Sequence, residues 1–412
     1  MLLKTLELLR CPFCGSRLSL DEEGAVVRAG DDVESGVLGC QCCAFPIVGG
    51  IPVMIADDAT RAAMQALEAG EGDQALQALL GLDDERAAAF DAFLARGDGT
   101  YREAIAVLSP DAEGQYFIYR FSDPTFLLAQ AVLLALGSNA ALGRRALDLC
   151  GGSGHLTRVL SAFTPPGDAV LADVYFWKLW LARRFTAPGC EPVCCDANSP
   201  LPFARGVFSL AVCSDAFPYI WHKRLFAEEM MRAVGSDGMV VLSHLHSANG
   251  ENVSAGMTLT PEGYRDLFAP LAPRLFRDSE LLDEVLDRGT LDLGTAIDPQ
   301  DLGSEPSITL IASRQDALFH AYALGGLPAP PPGVLVVNPL YRVEVRDGTS
   351  RLTLQFPTPE YAEEFGKCRR YLPETLVVHA DLRGPLDAAA IGVDYEMLRA
   401  RSIIIDAPPG YC

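Results

Sequence analysis

One segment constrains this chain more than any other: Ala146 to Leu160, ALDLCGGSGHLTRVL, where an apolar strand meets three closely spaced glycines and then a helix. Gly151, Gly152 and Gly154 allow a tight turn and let a ligand approach the main chain, and the start of the helix offers unpaired N–H groups. The pattern continues downstream. From Ala146 to about Arg314 the strand-like runs ALDLC, DAVLADV, CEPVCCDA, FSLAVCSDA, MVVLSHLH and SITLIAS alternate with helical or loop segments. Such alternation predicts an α/β fold with a largely parallel sheet and helices on both faces. Ligands of such sheets bind beyond the carboxyl ends of the strands.

At 412 residues the chain is long for a single core, and composition shifts divide it. Residues 1–56 are rich in Gly and Cys, with short apolar pieces punctuated by Pro and Gly, and read as a small β-rich module. Residues 57–145 turn Ala- and Leu-rich at helical spacing and read as a helical linker and lid, with Asp123 capping a helix that has Pro124 in its first turn. Within that stretch Tyr116 and Arg120 share a helical face. As an aromatic stripe they fit a core better than a site. Residues 146–314 form the α/β core, LPAPPPG near Leu327 reads as a semi-rigid linker, and 315–412 as a small accessory α+β module.

The formal net charge of -21 repels phosphate backbones, and no long basic stripe offsets it. Only short groups such as Arg183-Arg184 and Lys223-Arg224 are visible, so composition argues against nucleic acid as a partner. No apolar run approaches the roughly 20 residues that cross a bilayer, and no signal peptide is legible. The 12 cysteines do not form a secreted disulfide framework, which fits a reducing cytoplasm.

The glycine turn is not that of a dinucleotide fold. Counting G-x-G-x-x-G from Gly152 puts Thr157 where the third glycine belongs, and an acid, Asp148, precedes the glycines. Here the sequence resembles the class I S-adenosylmethionine-dependent methyltransferases, with their Rossmann-like core. The resemblance runs in order from Ala146 to Ser247: the acid and glycine turn, Asp173 closing VLADVYFWKLWLARRF's strand, Asp196 in CCDANSPLPF, then FSLAVCSDAFPYI and FAEEMMRAVGSDGMVVLS. It implies an S-adenosylmethionine site formed by Asp148, Gly151, Gly152, Gly154, Asp173, Val174, Asp196, Ala197 and Ser214. In it Asp173 would accept hydrogen bonds from ribose hydroxyls and Asp196 would meet the adenine amine. Any one of these acids alone could equally cap a strand-to-helix turn. Cys150 departs from the family, which usually has glycine there.

Cys11-Pro-Phe-Cys14-Gly is a thiolate knuckle, and Cys40, Cys42 and Cys43 offer a second half for a tetrahedral, structural zinc. CQCCAFPIVGGIPVMI resembles the short zinc-ribbon-like adaptor that serves as a tRNA-methyltransferase activator and also occurs fused to bacterial methyltransferases. The ligand set read here is Cys11, Cys14, Cys40 and Cys43, with Cys42 open as a replacement for Cys43. Loss of the metal with retention of the fold would leave buried free thiols.

Methyl transfer is an in-line displacement, so the protein must align an acceptor and remove its proton. After the fourth strand stand Asp215, Tyr219 and His222, and the fifth ends on His244 and His246, which share a side if the strand is extended. His244, then His246 and His222, are the candidate catalytic groups, against the alternative of structural hydrogen bonding. NGENVSAGMTLTPEGYRDLF suits an acceptor-binding loop. These features lead to the expectation of a methyltransferase acting on a small-molecule acceptor in biosynthesis. An RNA methyltransferase and a non-catalytic cofactor-binding scaffold are the alternatives, and homo-oligomerisation stays open.

Overall fold

In the computed structural model, which describes residues 1–24, 26–139, 145–252, 256–326 and 331–411, the predicted alternation becomes a seven-stranded sheet. Before it come β1 (Ser19–Leu20), β2 (Val27–Ala29), β3 (Asp32–Gly39), β4 (Ala44–Val48) and β5 (Ile51–Pro52), an antiparallel sheet ordered β1-β3-β4-β5 with β2 on β3. Then follow β6 (Ala146–Leu149), β7 (Ala169–Asp173), β8 (Glu191–Cys194), β9 (Leu210–Ser214), β10 (Met239–His246), β11 (Pro273–Arg277), β12 (Thr290–Asp292), β13 (Ser307–Ala312) and β14 (Ala321–Ala323). The main sheet is ordered β11-β13-β10-β9-β6-β7-β8, and β12 pairs with β14.

Strands β6 to β10 pair in parallel, while β13 runs antiparallel to both β10 and β11. Every residue of β6, β7 and β8 is buried, which is why these strands read as nearly continuous apolar runs. From β6 the chain winds outward through β7 and β8, then returns to place β9 on the other side of β6. The order therefore reverses between β6 and β9, and the crevice at their carboxyl ends is where such folds bind ligands. Strand β11 escapes the sequence pattern because its two buried apolar residues, Leu275 and Phe276, lie between Arg274 and Arg277.

By internal contacts the chain divides into two compact units, residues 1–88 with 129–330 and residues 89–128 with 331–412. The small amino-terminal sheet belongs to the first unit and shares its core. Leu9 bridges Phe203, and Val53 pairs in parallel with Cys194 at the end of β8, so the module continues the large sheet at that edge. Glu191 of β8, 3% exposed, accepts hydrogen bonds from Leu2 N at 2.8 Å and Thr5 Oγ1 at 2.7 Å. Leu9, Phe45, Ile47 and Met54 join Val193, Phe203 and Phe208 in one buried cluster.

The second unit contains β15 (Val334–Val337) paired with β19 (Ile404–Ala407), and a three-stranded sheet of β16 (Tyr341–Arg346), β17 (Thr349–Leu354) and β18 (Thr375–Val378). Its other half is the chain before the large sheet. Tyr101 stacks on Tyr411 at 4.7 Å, Ser122 Oγ bonds Asn338 Oδ1 at 2.8 Å, and the Tyr361 hydroxyl donates to Asp123. The stretch 57–145, read above as one linker, thus contributes 57–88 and 129–139 to the first unit and 89–128 to the second. Pro124 does open a helix, Pro124–Gly137, while the Asp123 carboxylate is turned to Tyr361 and Arg120. Arg120 is buried over the Tyr116 ring at 5.4 Å, and Tyr116 lies 5.8 Å from Phe365, so this aromatic cluster is core of the second unit. Residues 327–330 of the Pro-rich segment and 253–255 of the anticipated acceptor loop lie outside the described residues.

Phe203 is fully buried where the module meets the sheet. Phe203→Ala is expected to destabilise the first unit by about 3–5 kcal/mol, measured as a lower denaturation midpoint. A loss under about 1 kcal/mol would mean that the shared core contributes little.

Candidate functional site

The glycine turn is shaped first by its own packing. A Cβ on Gly151 would lie 2.5 Å from Asp148 Cγ and 2.5 Å from Leu171 Cδ1, so only glycine fits. Gly152, at φ 57°, donates its N–H to Asp173 Oδ2 at 3.0 Å, and Tyr175 N donates to Asp173 Oδ1 at 2.9 Å. The carboxylate closing β7 is thereby fixed against the turn that follows β6. Thr157, in place of the dinucleotide fold's third glycine, donates its hydroxyl to the buried Asp148 Oδ2 at 2.7 Å. That bond ties the first helical turn, His155–Leu160, back to the strand before the glycines.

Beyond β8, Asp196 Oδ1 accepts from Asn198 N at 2.8 Å and from Asn198 Nδ2 at 3.2 Å. Asn198 in turn holds the chain after β9: its Oδ1 accepts from Trp221 N at 2.7 Å, and its backbone oxygen lies 2.8 Å from His222 Nδ1. His222 is therefore anchored at the exposed start of the helix Lys223–Val234. Val174 is exposed, Ala197 is buried, and the Ser214 hydroxyl accepts from Ser243 Oγ at 2.8 Å between β9 and β10.

The carboxyl ends of three adjacent strands carry non-glycine residues in the left-handed region: Cys150 after β6 (φ 56°), Asp215 after β9 (φ 59°) and His244 within β10 (φ 56°). Each costs roughly 1–3 kcal/mol, and such strain collects at functional sites. Cys150 thus keeps a backbone conformation suited to glycine while bearing a side chain. Contact with the Cys213 thiol, followed by burial, pushes its own thiol well above the usual range.

Strand β10 is not regular where it ends. Its register with β13 shifts between Leu242 and Leu245, and His244 occupies the irregularity. The two imidazoles still meet, with ring centroids 5.1 Å apart and nearly perpendicular. His244 Nδ1 lies 3.1 Å from Asp278 Oδ2, and Asp278 Oδ1 accepts from Thr309 Oγ1 at 2.7 Å. His246 Nε2 lies 3.9 Å from Asp215 Oδ1, while the Tyr264 hydroxyl bonds the His246 backbone oxygen at 2.8 Å. Burial, with the nearby His244, holds the His246 imidazole below its usual pKa, against the opposing pull of Asp215 and Asp278. Asp278 and Thr309 were not anticipated. Asp278 follows β11 as the other acids follow their strands, so the signal was present but depended on a strand that the pattern concealed.

At the amino terminus one thiol sulfur from each of Cys11, Cys14 and Cys40 lies within 4.8 Å of the others, and Cys14 and Cys40 are 3.6 Å apart. Zn–S bonds of about 2.3 Å in a tetrahedron put sulfurs about 3.8 Å apart, so the spacing fits that ion. Cys42 N donates to Cys40 Sγ at 3.4 Å, as in a thiolate knuckle. Hydrogen bonds from Ser16 lower Cys14 to about 6, whereas burial raises Cys11 to about 12. Cys43 adjoins Cys11 and Cys42 adjoins Cys14, so both alternatives for the fourth ligand stand at the cluster.

No family model matches the sequence, and no curated protein matches it. Among solved structures, the chain is similar to the YcgJ protein from Bacillus subtilis at 16% identity, over 45% of this chain and 98% of that one, with a TM-score of 0.33. An S-adenosylmethionine-dependent methyltransferase from Thermotoga maritima is similar at 12% identity, over 52% of this chain and 100% of that one, TM-score 0.33. One from Aquifex aeolicus is similar at 13% identity, over 47% and 95%, TM-score 0.33.

The Thr157 to Asp148 bond predicts that Thr157→Val leaves a buried carboxylate oxygen short of a donor. About 1–3 kcal/mol of stability should be lost, visible as a lower thermal midpoint; an unchanged midpoint would contradict the bond's importance.

Proposed function

We propose that this protein is an S-adenosylmethionine-dependent methyltransferase acting on a small-molecule acceptor. The observation that carries the reading is the arrangement of acids and glycines about the switch point: Asp148, Asp173 and Asp196 at the ends of three neighbouring parallel strands, with Asp173 bonded to the glycine turn at 3.0 Å. Beyond the other side of β6 lies the cluster of Asp215, His244 and His246. Cofactor and acceptor would thus occupy the two halves of one crevice.

On this reading Asp173 takes the ribose hydroxyls, Asp196 the adenine amine, and Gly151, Gly152 and Gly154 with Val174, Ala197 and Ser214 line the pocket. S-adenosylmethionine, when bound, supplies a methyl group on an electrophilic sulfonium. The protein's own part is to align the acceptor and dispose of its proton. His244, oriented by Asp278 and Thr309, stands first for that task, with His246 beside it. The helix anchored by Asn198 gives His222 a positioning role on the loop after β9. Tyr219 and Trp221 on that loop are 49% and 71% exposed and, with Met257, whose N–H bonds Pro218 O at 2.9 Å, offer an apolar rim for an organic acceptor. The net charge of -21 favours such an acceptor over a nucleic acid. Cys11, Cys14, Cys40 and Cys43 hold structural zinc. No helix among the described residues is long and apolar enough to cross a membrane.

Asp173→Ala should weaken S-adenosylmethionine binding by about 1–3 kcal/mol in calorimetry, and equal affinity would reject the assigned site. Protein purified without added zinc should carry one equivalent of it. Less than about a tenth of an equivalent by metal analysis would defeat the zinc assignment.

A further inference from the structure

Proton transfer requires one oriented imidazole, yet the acceptor side presents more. Asp215, His244 and His246 each offer a donor atom, and these three atoms lie within 4.8 Å of one another. Two imidazoles and one carboxylate this close together are a donor set suited to divalent first-row transition cations. The surroundings match in a second respect. A histidine that binds a metal through one nitrogen usually gives its other N–H to a carboxylate, which fixes the tautomer and the ring. His244 Nδ1 stands 3.1 Å from Asp278 Oδ2, and Asp278, 5% exposed, is itself held by Thr309 Oγ1 at 2.7 Å. Held in this way through Nδ1, His244 would coordinate an ion through Nε2, the usual arrangement of a carboxylate–histidine–metal triad.

The backbone brings the donors together from two strands. Asp215 N donates to Ser243 O at 3.0 Å, so the two strand ends stay paired while both Asp215 and His244 turn through left-handed conformations. The Tyr264 hydroxyl fixes His246 through its carbonyl oxygen.

We propose that Asp215, His244 and His246 bind a divalent first-row transition cation, with Asp278 and Thr309 orienting His244, and that this cation seats a hydroxyl acceptor. One carboxylate and two neutral imidazoles leave the ion with net positive charge, and its open positions accept oxygen. A hydroxyl coordinated there would be made more acidic, as metal-bound water is, and would give its proton to solvent. The substrate class narrows to oxygen nucleophiles, and His244 becomes a ligand in place of the direct base that the proposed function makes it.

The acceptor class rests on the methyltransferase reading, whereas the cation site does not. The test therefore measures the ion alone. Full-length protein with zinc on its cysteines is titrated with Co2+ by calorimetry and visible absorption, and S-adenosylmethionine binding is measured on the same samples. The expected result is one further equivalent of Co2+ with no intense sulfur-to-metal charge-transfer band. Asp215→Asn and His246→Gln should abolish that binding while thermal melting and S-adenosylmethionine affinity persist. Asp278→Asn should weaken it about 10–100-fold. Absence of Co2+ binding, uptake only with the thiolate band, or unchanged binding in both folded ligand variants would overturn the proposal. Co2+ binding without S-adenosylmethionine binding would uphold the site and reject the methyltransferase reading; the converse would do the opposite.

Discussion

The reversal of strand order between β6 and β9 is the constraint on which the site depends. Two parallel strands that lead their helices in opposite directions leave an opening at their carboxyl ends that neither helix can cover. The chain fills the edges of that opening with acids on one side and with imidazoles and acids on the other. The strand ends bond Asp173 to the glycine turn and Asp278 to His244, and they bring Asp215 to 3.9 Å from His246.

Backbone strain is concentrated at the same place. Cys150, Asp215 and His244 all adopt conformations that side chains disfavour, and all three lie on neighbouring strands. A sheet buried on both faces can sustain that cost because shifting one strand end would disturb the ladder and core around it. For Cys150 the strain explains a departure visible in the sequence: the position retains glycine's geometry without glycine. For His244 it makes an irregular strand end place two imidazoles side by side.

Much of this was legible in the residues, for reasons that can be named. The continuous apolar runs of β6 to β10 announce a parallel sheet, and the acids Asp148, Asp173 and Asp196 stand at the carboxyl ends of its strands. The missing glycine at Thr157 turned the reading away from dinucleotides, and the structure gives that threonine a task of its own on Asp148. Three things were hidden. Strand β11 carries too little apolar sequence to be seen, and with it went Asp278. The contact between His222 and the Asn198 backbone oxygen cannot be read from sequence order. The stretch 57–145 has one helical composition throughout, so nothing in its pattern marks that residues 89–128 build a core with 331–412.

The amino-terminal cysteines and the large sheet form one folding problem. Val53 pairs beside Cys194 at the end of β8 and Leu9 reaches Phe203, so whatever orders Cys11, Cys14, Cys40 and Cys43 also supports the edge of the sheet that carries Asp196. The claim on which the functional account stands is the identity of the ligand at the glycine turn. Calorimetric titration of the full-length protein with S-adenosylmethionine and, separately, with a nicotinamide dinucleotide tests it most directly. Saturable binding of S-adenosylmethionine at a single site, with none of the dinucleotide, is the predicted result; the reverse, or no binding of S-adenosylmethionine, would contradict it.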